Sequence, residues 1–288
     1  MVRSPRAANP GVEDIPFSLW PNLLSLDAPA IAIAWLMLFA TSFRVRPGWP
    51  PVVALGLWVW VLYVADRVFD GMRRPSPGTA TLRHRFYGRN RWQALIGVAV
   101  AATVATVISF GWIELAIRRA GIGLALLVGA YFVVTHMAIP TSRKYWPKEL
   151  FVAILFAAGV CLPVWILLGA QRSRLFGPFI LLAAVFWINA LGIECWEKAP
   201  DRVSRSRLGS RTSRALALRL GPAAMGLAIV SGVLAVGSEA ASIDLAIAMS
   251  ALLLMALELN SARLRSSALR ALADAALLTP ILFLWPLR

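Results

Sequence analysis

Residues 149–193 read ELFVAILFAAGVCLPVWILLGAQRSRLFGPFILLAAVFWINALGI, two long apolar runs separated by the polar segment QRSR. Each run is about as long as the roughly 20 residues that an α-helix needs to cross the hydrocarbon core of a bilayer. Because a chain in lipid must satisfy its backbone hydrogen bonds internally, runs of this length predict helices. The stretch therefore predicts two consecutive membrane spans, Glu149–Ala170 and Leu175–Ile193.

Similar apolar runs recur throughout the chain of 288 residues, of which 59% are hydrophobic and 15% charged. A soluble domain usually carries about 25% charged residues. The other predicted spans are Leu23–Phe43, Trp49–Phe69, Ala94–Trp112, Gly121–Ile139, Ala215–Val236, Ile243–Leu259 and Leu269–Trp285. We therefore expect an all-α polytopic membrane protein with about nine transmembrane helices. Residues 1–22 would form a cytoplasmic N-terminal segment, and residues 23–288 a single transmembrane helical domain.

The formal net charge of +15 comes from basic residues that concentrate in alternate loops. They are Arg73, Arg74, Arg83, Arg85, Arg89 and Arg91, then Arg143, Lys144 and Lys148, then Lys198, Arg202, Arg205, Arg207 and Arg211, and finally Arg263 and Arg265. Cytoplasmic loops carry such an excess, which faces anionic lipid. We therefore expect membrane lipid and not nucleic acid as a partner. The pattern predicts an integral, multi-pass protein with its N-terminus in the cytoplasm, and we expect a bacterial inner membrane.

Two groups of acidic residues lie at the predicted cytoplasmic ends of spans. Asp66 and Asp70 are four residues apart at the end of the second span, which puts both on one face of a helix. Glu194, Glu197 and Asp201 follow the sixth span with spacings of three and four. Mg²⁺ prefers one or two carboxylates together with substrate phosphates, so the five acids predict a Mg²⁺-dependent diphosphate site. The simpler alternative is that these acids pair with the abundant arginines.

An aromatic residue accompanies the first acidic group. Tyr63 shares a helical face with Asp66 and Asp70, one turn deeper in the span. Rings at that depth could stabilise a carbocation by cation–π attraction. Tyrosine and tryptophan also belong at membrane interfaces for general reasons, so this observation alone leaves both interpretations open.

The acidic segments are LYVADRVFD at residues 62–70 and ECWEKAPDR at residues 194–202. In these motifs the chain resembles the UbiA superfamily of intramembrane prenyltransferases. That family has nine transmembrane helices and two aspartate-rich motifs, N-x-x-x-D-x-x-x-D and D-x-x-D-x-x-x-D, at the ends of helices 2 and 6. The chain departs from them at Leu62, which stands at the Asn position, and at Glu194 and Glu197, which stand at Asp positions.

The resemblance implies a function and a set of site residues. Its implied catalytic and metal-binding residues are Asp66, Asp70, Glu194, Glu197 and Asp201, with Mg²⁺ as the cofactor. Its implied substrate-binding residues are Tyr63, Arg67, Arg143, Lys144, Lys148, Asn189 and Arg202. The implied activity is transfer of an isoprenyl group from a prenyl diphosphate to a lipophilic acceptor.

Two other functions remain open at the level of the sequence. A UbiA-like bundle with altered motifs could bind a prenyl lipid, or act as a scaffold, without catalysis. A transporter could use Asp27 and Asp274, which lie inside predicted spans, in a proton or ion path. Transporters usually show broken helices at matching positions of two halves, and the sequence does not show that pairing clearly.

The loop charges generate the first prediction. A reporter fused at Ser76 should be cytoplasmic, and a reporter fused at Ser238 should be external, because basic loops are retained on the cytoplasmic side. Paired alkaline phosphatase and green fluorescent protein fusions measure this directly. The reverse result would overturn the orientation and put the acidic groups on the wrong face for a cytoplasmic substrate.

Overall fold

The computed structural model describes residues 24–72, 86, 90–137, 147–198, 202–205 and 210–284, with the backbone alone at 70–72, 136–137, 198 and 202–203. Its helices are α1 (Asp27–Ser42), α2 (Trp49–Met72), α3 (Arg91–Gly111), α4 (Leu115–Met137), α5 (Lys148–Leu168), α6 (Phe176–Lys198), α7 (Arg202–Arg205), α8 (Arg211–Ala217), α9 (Leu220–Ala235), α10 (Ala241–Leu259), α11 (Ser266–Ala276) and α12 (Pro280–Leu284). A 3₁₀ helix, Gly169–Leu175, joins α5 to α6. The described part of the chain is therefore all-helical, as the apolar runs predict.

Helix α1 lies at the centre of the hydrophobic core. It contacts α2, α5, α10, α11 and α12, and Trp35, Leu36, Leu38 and Phe39 on it are fully buried. The face of α1 around Met37 is exposed, so the helix is buried on its other sides only. The ring of Trp35 meets that of Phe186 on α6 edge to face, with centroids 6.1 Å apart. The contact joins α1 to α6. Helix α6 also has many neighbours, because it packs on α5, α8, α9, α10 and α11.

Helices α3 and α4 lie at the periphery. Helix α3 packs mainly on α2, and α4 mainly on α5. Their outward faces are apolar, and Ile96 on α3 and Leu126 on α4 are 64% and 70% exposed. Large apolar surfaces of this kind are unfavourable in water, but they are the expected surface of a protein whose solvent is lipid.

Six helical segments of the described chain are long and apolar enough to cross a membrane, or seven if one bent pair counts as a span. They are Trp49–Phe69, Arg91–Gly111, Leu115–Thr135, Lys148–Glu197, Ala241–Leu259 and Ser266–Leu284. These segments indicate an integral multi-pass membrane protein. The predicted number of nine is not confirmed by length and composition. Helix α1 has only 16 residues, or about 24 Å, against a hydrocarbon core of about 30 Å.

The seventh predicted span is divided into α8 and α9, which meet at an angle of 83°. Pro222 explains the break, because a proline ring clashes with the carbonyl four residues earlier, here that of Leu218. The ninth predicted span contains a short turn between α11 and α12, before Pro280, but Ser266–Leu284 still counts as one candidate span. The correction therefore concerns the seventh span, which was predicted to be continuous and is bent.

The interruption before α12 is stabilised by side chains of other helices. The indole N–H of Trp35 donates to the carbonyl oxygen of Leu277 at 2.9 Å, inside the core. The hydroxyl of Thr279 donates to the carbonyl of Ala246 at 2.9 Å and contacts the hydroxyl of Ser250 at 2.7 Å. The released carbonyl of Leu277 therefore finds its partner on α1, and the side chain of Thr279 attaches the break to α10.

Replacement of Trp35 by Phe tests this arrangement. A smaller aromatic ring replaces the indole and the donor is lost, so the buried Leu277 carbonyl is left without its partner. The lost partner alone costs about 1–3 kcal/mol of unfolding free energy, and the lost ring volume adds to it. Unfolding of the detergent-solubilised protein would be followed by circular dichroism. Trp92→Phe, at an exposed position of α3, is the control and should change little. Equal effects of the two substitutions would contradict the role of the hydrogen bond.

Candidate functional site

A cavity of about 1160 Å³ runs along the bundle between α2, α4 and α5, and we call it the main cavity. Along α5 it extends from Lys148 to Pro163, a rise of fifteen residues, which corresponds to about 22 Å of helix. One leaflet of a bilayer provides about 15 Å of hydrocarbon, so the cavity is long enough for a whole lipid chain. Apart from its two ends, its lining is mostly apolar.

The two ends of the main cavity differ in chemistry. Six charged residues line one end, which we call the charged end: Asp66, Lys148, Glu149, Glu194, Glu197 and Arg270. The other end is lined by Trp58, Phe110 and Arg118. There the guanidinium of Arg118 donates to the carbonyl of Phe110 at 2.8 Å and lies over the ring of that residue. The cavity therefore matches an amphiphilic ligand that has a charged head group and a long apolar tail.

Lys148 links α5 to α6 at the charged end. Its ammonium lies 3.3 Å from a carboxylate oxygen of Glu194 and 3.5 Å from one of Glu149. The second oxygen of Glu149 accepts a hydrogen bond of 2.9 Å from the hydroxyl of Ser213, on α8. Glu149 is buried, and a buried carboxylate is tolerated only with such partners. The network therefore joins the start of α5, the end of α6 and the start of α8.

A second ion pair brings α11 to the same place. Arg270 donates to a carboxylate oxygen of Glu197 at 2.8 Å. The simpler alternative from the sequence was that the acids of the sixth span pair with nearby arginines, of which Arg205 is one. Arg205 instead binds Glu258 of α10 with both its terminal nitrogens, and Trp196 donates to the same carboxylate at 2.7 Å. Glu258 is thus the acid that Arg205 neutralises, and Glu197 belongs to the cavity.

Aromatic rings lie immediately below the charged end. The ring of Tyr63 meets that of Phe156 edge to face at 6.2 Å, and Phe156 meets Phe186 at 4.9 Å. Both Tyr63 and Phe156 line the main cavity. Tyr63 was predicted to do so from its face of α2, whereas Phe156 on α5 was not identified from the sequence.

The structure brings together most of the predicted site residues that it describes. Tyr63, Asp66, Lys148, Glu194 and Glu197 line the main cavity, while Arg67 and Asn189 line a smaller neighbouring pocket. Asp70 and Arg202 have described backbone only, and Asp201, Arg143 and Lys144 lie outside the described residues. Helices α2 and α6 therefore meet at one end of the main cavity, through Asp66 on α2 and Glu194 and Glu197 on α6.

Glu149, Arg270 and Ser213 belong to the charged end but were not predicted. Glu149 directly follows Lys148 at the start of an apolar span. An acid in that position indicates a polar partner or a cavity, independently of the two acidic motifs. Arg270 lies on α11 within a predicted span, four residues before Asp274 and therefore on the same helical face. Charged residues in such positions usually face a partner or a cavity, which was the available signal.

A Mg²⁺ ion needs oxygen ligands that converge on one point. Four carboxylates and two cations line the charged end, and this excess of negative charge favours a divalent cation. However, among residues whose side chains are described, no three of His, Cys, Asp or Glu converge closely enough to ligate a metal. Glu194 and Glu197 are instead bound by Lys148 and Arg270. The described residues therefore supply charge for Mg²⁺ but not a set of ligands.

Comparison of the chain with protein-family models, with curated proteins and with solved structures finds no match. The resemblance in the two acidic motifs is accordingly carried by their residues alone. The geometry of the main cavity, described above, is independent of that resemblance.

The length of the main cavity can be tested at Gly121, which lines its end away from the charges. A Cβ atom there would meet nothing within 4 Å, so a larger side chain can fill the cavity. Gly121→Leu should weaken binding of eicosyl phosphate several-fold but not that of decyl phosphate, because each displaced CH₂ forfeits about 0.8 kcal/mol. Thermal stabilisation of the purified protein by each alkyl phosphate is the measurement.

Gly232→Leu on α9 is the matched control, since Gly232 has the same open space but does not line the cavity. It should leave the binding of both phosphates unchanged. If Gly121→Leu affects both alkyl phosphates equally, or neither, the chain does not lie along the main cavity.

Proposed function

We propose that this protein is an intramembrane prenyltransferase of the UbiA-like kind. An isoprenyl diphosphate would bind with its chain in the main cavity and its diphosphate at the charged end, and the isoprenyl group would pass to a lipophilic acceptor. The observation that carries the proposal is the meeting of the α2 and α6 acids with Lys148 at one end of a long apolar cavity. Apolar length and clustered charge together match the two parts of this substrate.

The residues of the charged end have distinct roles in the proposal. Lys148 and Arg270 are donors for phosphate oxygens, and charge-assisted hydrogen bonds of this type are about twice as strong as neutral ones. Glu194 and Glu197 hold these two cations in position. The rings of Tyr63 and Phe156, which lie next to the head group, would stabilise an allylic cation as the diphosphate departs.

Mg²⁺ is part of the proposal because of the charge at this end. A diphosphate entering beside four carboxylates and two described cations would meet net repulsion. Mg²⁺ bound near Asp66, Asp70, Glu194, Glu197 and Asp201 would neutralise the head group and stabilise it as a leaving group. The arginines of residues 73–85 and the basic residues Arg143 and Lys144 are the other available source of positive charge.

The proposal includes nine transmembrane helices. The segment Lys148–Glu197 has 50 residues, about 75 Å if straight, and its halves α5 and α6 contact each other, so it is long enough for two spans. These two spans and the five other candidate segments make seven. If α1 and the bent pair α8–α9 each form one more, the total is nine. We place this bundle in a bacterial inner membrane with a cytoplasmic N-terminus, which puts the charged end on the cytoplasmic face.

A second candidate function is binding of a prenyl lipid without catalysis. It is favoured by the ion pairs of Glu194 and Glu197, which leave these acids neutralised by protein cations instead of a metal. A lipid-binding or scaffold protein would use the same cavity. The two functions differ in whether the isoprenyl diphosphate is consumed.

Binding of farnesyl diphosphate tests the proposal. The compound should stabilise the detergent-solubilised protein much more with Mg²⁺ than with EDTA, by about 2.7 kcal/mol at 100 times its dissociation constant. Asp70→Asn and Glu197→Gln, which preserve shape and remove one charge, should each abolish the Mg²⁺-dependent part. Glu114→Gln, at the opposite end of the bundle, is the control and should behave as wild type.

Turnover separates the two candidate functions. Membranes that contain the protein should release diphosphate from farnesyl diphosphate, and membranes with the Asp70→Asn variant should not. Mg²⁺-dependent binding without release would support the lipid-binding function. If neither Asp70→Asn nor Glu197→Gln affects binding, prenyl transfer at the charged end is excluded.

A further inference from the structure

A group of three polar side chains lies outside the main cavity, and we call it the α6 anchor. It consists of Trp196 near the end of α6, Glu258 near the end of α10 and Arg205 at the end of α7. None of the three lines the main cavity or the smaller pocket beside it. The α6 anchor is therefore separate from the charged end, although Trp196 stands between Glu194 and Glu197 in the sequence.

Glu258 is the centre of the α6 anchor. Its carboxylate accepts a hydrogen bond of 2.7 Å from the indole N–H of Trp196, and both terminal nitrogens of Arg205 bind it. Arg205 also donates to the carbonyl oxygen of Ala217, the last residue of α8, at 3.3 Å. The side chains of Arg205 and Glu258 are 11% and 17% exposed, so water competes little for these contacts. The anchor therefore connects α6 with α7, α8 and α10.

The indole of Trp196 has little freedom to move. Trp196 is 6% exposed, and a Cβ atom added at Gly192, one turn earlier on α6, would meet its ring at 3.2 Å. The ring thus lies against the backbone of its own helix at Gly192, while its N–H is held by Glu258 of α10. Because both contacts involve the same rigid ring, a fixed position of Glu258 implies a fixed position of the last turn of α6.

The rotation of α6 links the anchor to the charged end. Successive residues of an α-helix are about 100° apart around its axis, so Trp196 points about 160° away from Glu194 and about 100° away from Glu197. The two glutamates face Lys148 and Arg270 at 3.3 and 2.8 Å. The last turn of a helix has carbonyl groups without intrahelical partners and frays easily. A contact on the other side of this turn therefore determines where the two carboxylates lie.

We propose that Glu258 is a positioning residue for the charged end. Through Trp196 it fixes the rotation of the last turn of α6, and through Arg205 it keeps the end of α8 beside the same helix. Without the anchor, the two carboxylates of α6 would be free to turn away from their cations. The consequence for diphosphate binding rests on the function proposed above, whereas the effect on α6 does not.

The two cysteines of the chain report on α6 without any ligand. Cys195 is fully buried on α6, where it packs with Leu191 and Ala217, and Cys161 is buried on α5. Modification of each thiol by N-ethylmaleimide in the detergent-solubilised protein is followed by mass spectrometry of its peptides. A buried thiol reacts only during local opening, so its rate follows the opening equilibrium of the segment around it.

Two substitutions break the anchor from its two sides. Glu258→Leu removes the acceptor and Trp196→Phe removes the donor. Each should accelerate modification of Cys195 about 10-fold and leave that of Cys161 unchanged. Glu258→Gln keeps an oxygen to which Trp196 can donate, so it should accelerate the modification less than Glu258→Leu does. In the same variants, the Mg²⁺-dependent binding of farnesyl diphosphate should weaken in the same order.

Glu239→Gln is the matched control. Glu239 binds Arg174, and this ion pair joins the segments that precede α10 and α6, at the other ends of the same two helices. The side chain of Glu239 is 71% exposed, and exposed ion pairs contribute little. This variant should match wild type in the modification of both thiols and in the binding of farnesyl diphosphate.

Three results would overturn the proposal. The first is unchanged modification of Cys195 in both Glu258→Leu and Trp196→Phe, whatever happens to ligand binding. The second is equal acceleration of both thiols, which would make Glu258 a contributor to general stability only. The third is faster modification of Cys195 with unchanged binding of farnesyl diphosphate, which would mean that the position of α6 does not matter at the charged end.

Failure of the proposed function gives a different result. If wild type binds no farnesyl diphosphate but the two substitutions still accelerate modification of Cys195 alone, the α6 anchor is supported and the diphosphate site is rejected.

Discussion

Lys148 lies between the carboxylates of Glu149 and Glu194, and this three-way contact fixes the start of α5 against the end of α6. Unpaired charge is costly among apolar helices, so each acid in this part of the bundle requires a cation or a donor. Arg270 meets that requirement for Glu197 and brings α11 to the same place. Ser213 does so for Glu149 and brings α8. The charged end therefore positions four helices at once.

The main cavity follows from how the remaining helices pack. Because α4 packs mainly on α5, and α3 mainly on α2, a long space is left between the two pairs. Glycines at 121 and 129 line α4 on the cavity side and add no side-chain volume. In water such a space would collapse or fill with solvent. In a bilayer, its apolar wall and the outward faces of α3 and α4 are compatible with lipid chains.

The interior holds two neighbouring volumes of different chemistry. The main cavity is long, apolar and charged at one end, whereas a smaller pocket of about 190 Å³ is lined by two carboxylates and two guanidinium groups. Both volumes are lined by Tyr63, Val152, Phe156, Ala190, Ile193 and Arg270. Because Arg270 also binds Glu197 of the charged end through Nη1, a change in the position of this side chain would alter both volumes.

The sequence by itself determined the helical character of the chain, since apolar runs near membrane length leave the backbone no other way to satisfy its hydrogen bonds. It also predicted the nearness of Asp66, Glu194 and Glu197, because the α2 and α6 acids terminate spans on the same side. Only the tertiary structure decided that Glu197 pairs with Arg270, 73 residues away, and that Glu258 takes Arg205. It alone decided that the seventh predicted span is bent by 83°, and that the amide oxygen of Asn189 is buried without a partner among the described residues. Periodicity and hydropathy are local properties of the chain, whereas these pairings depend on which helices pack together and on how far each is rotated.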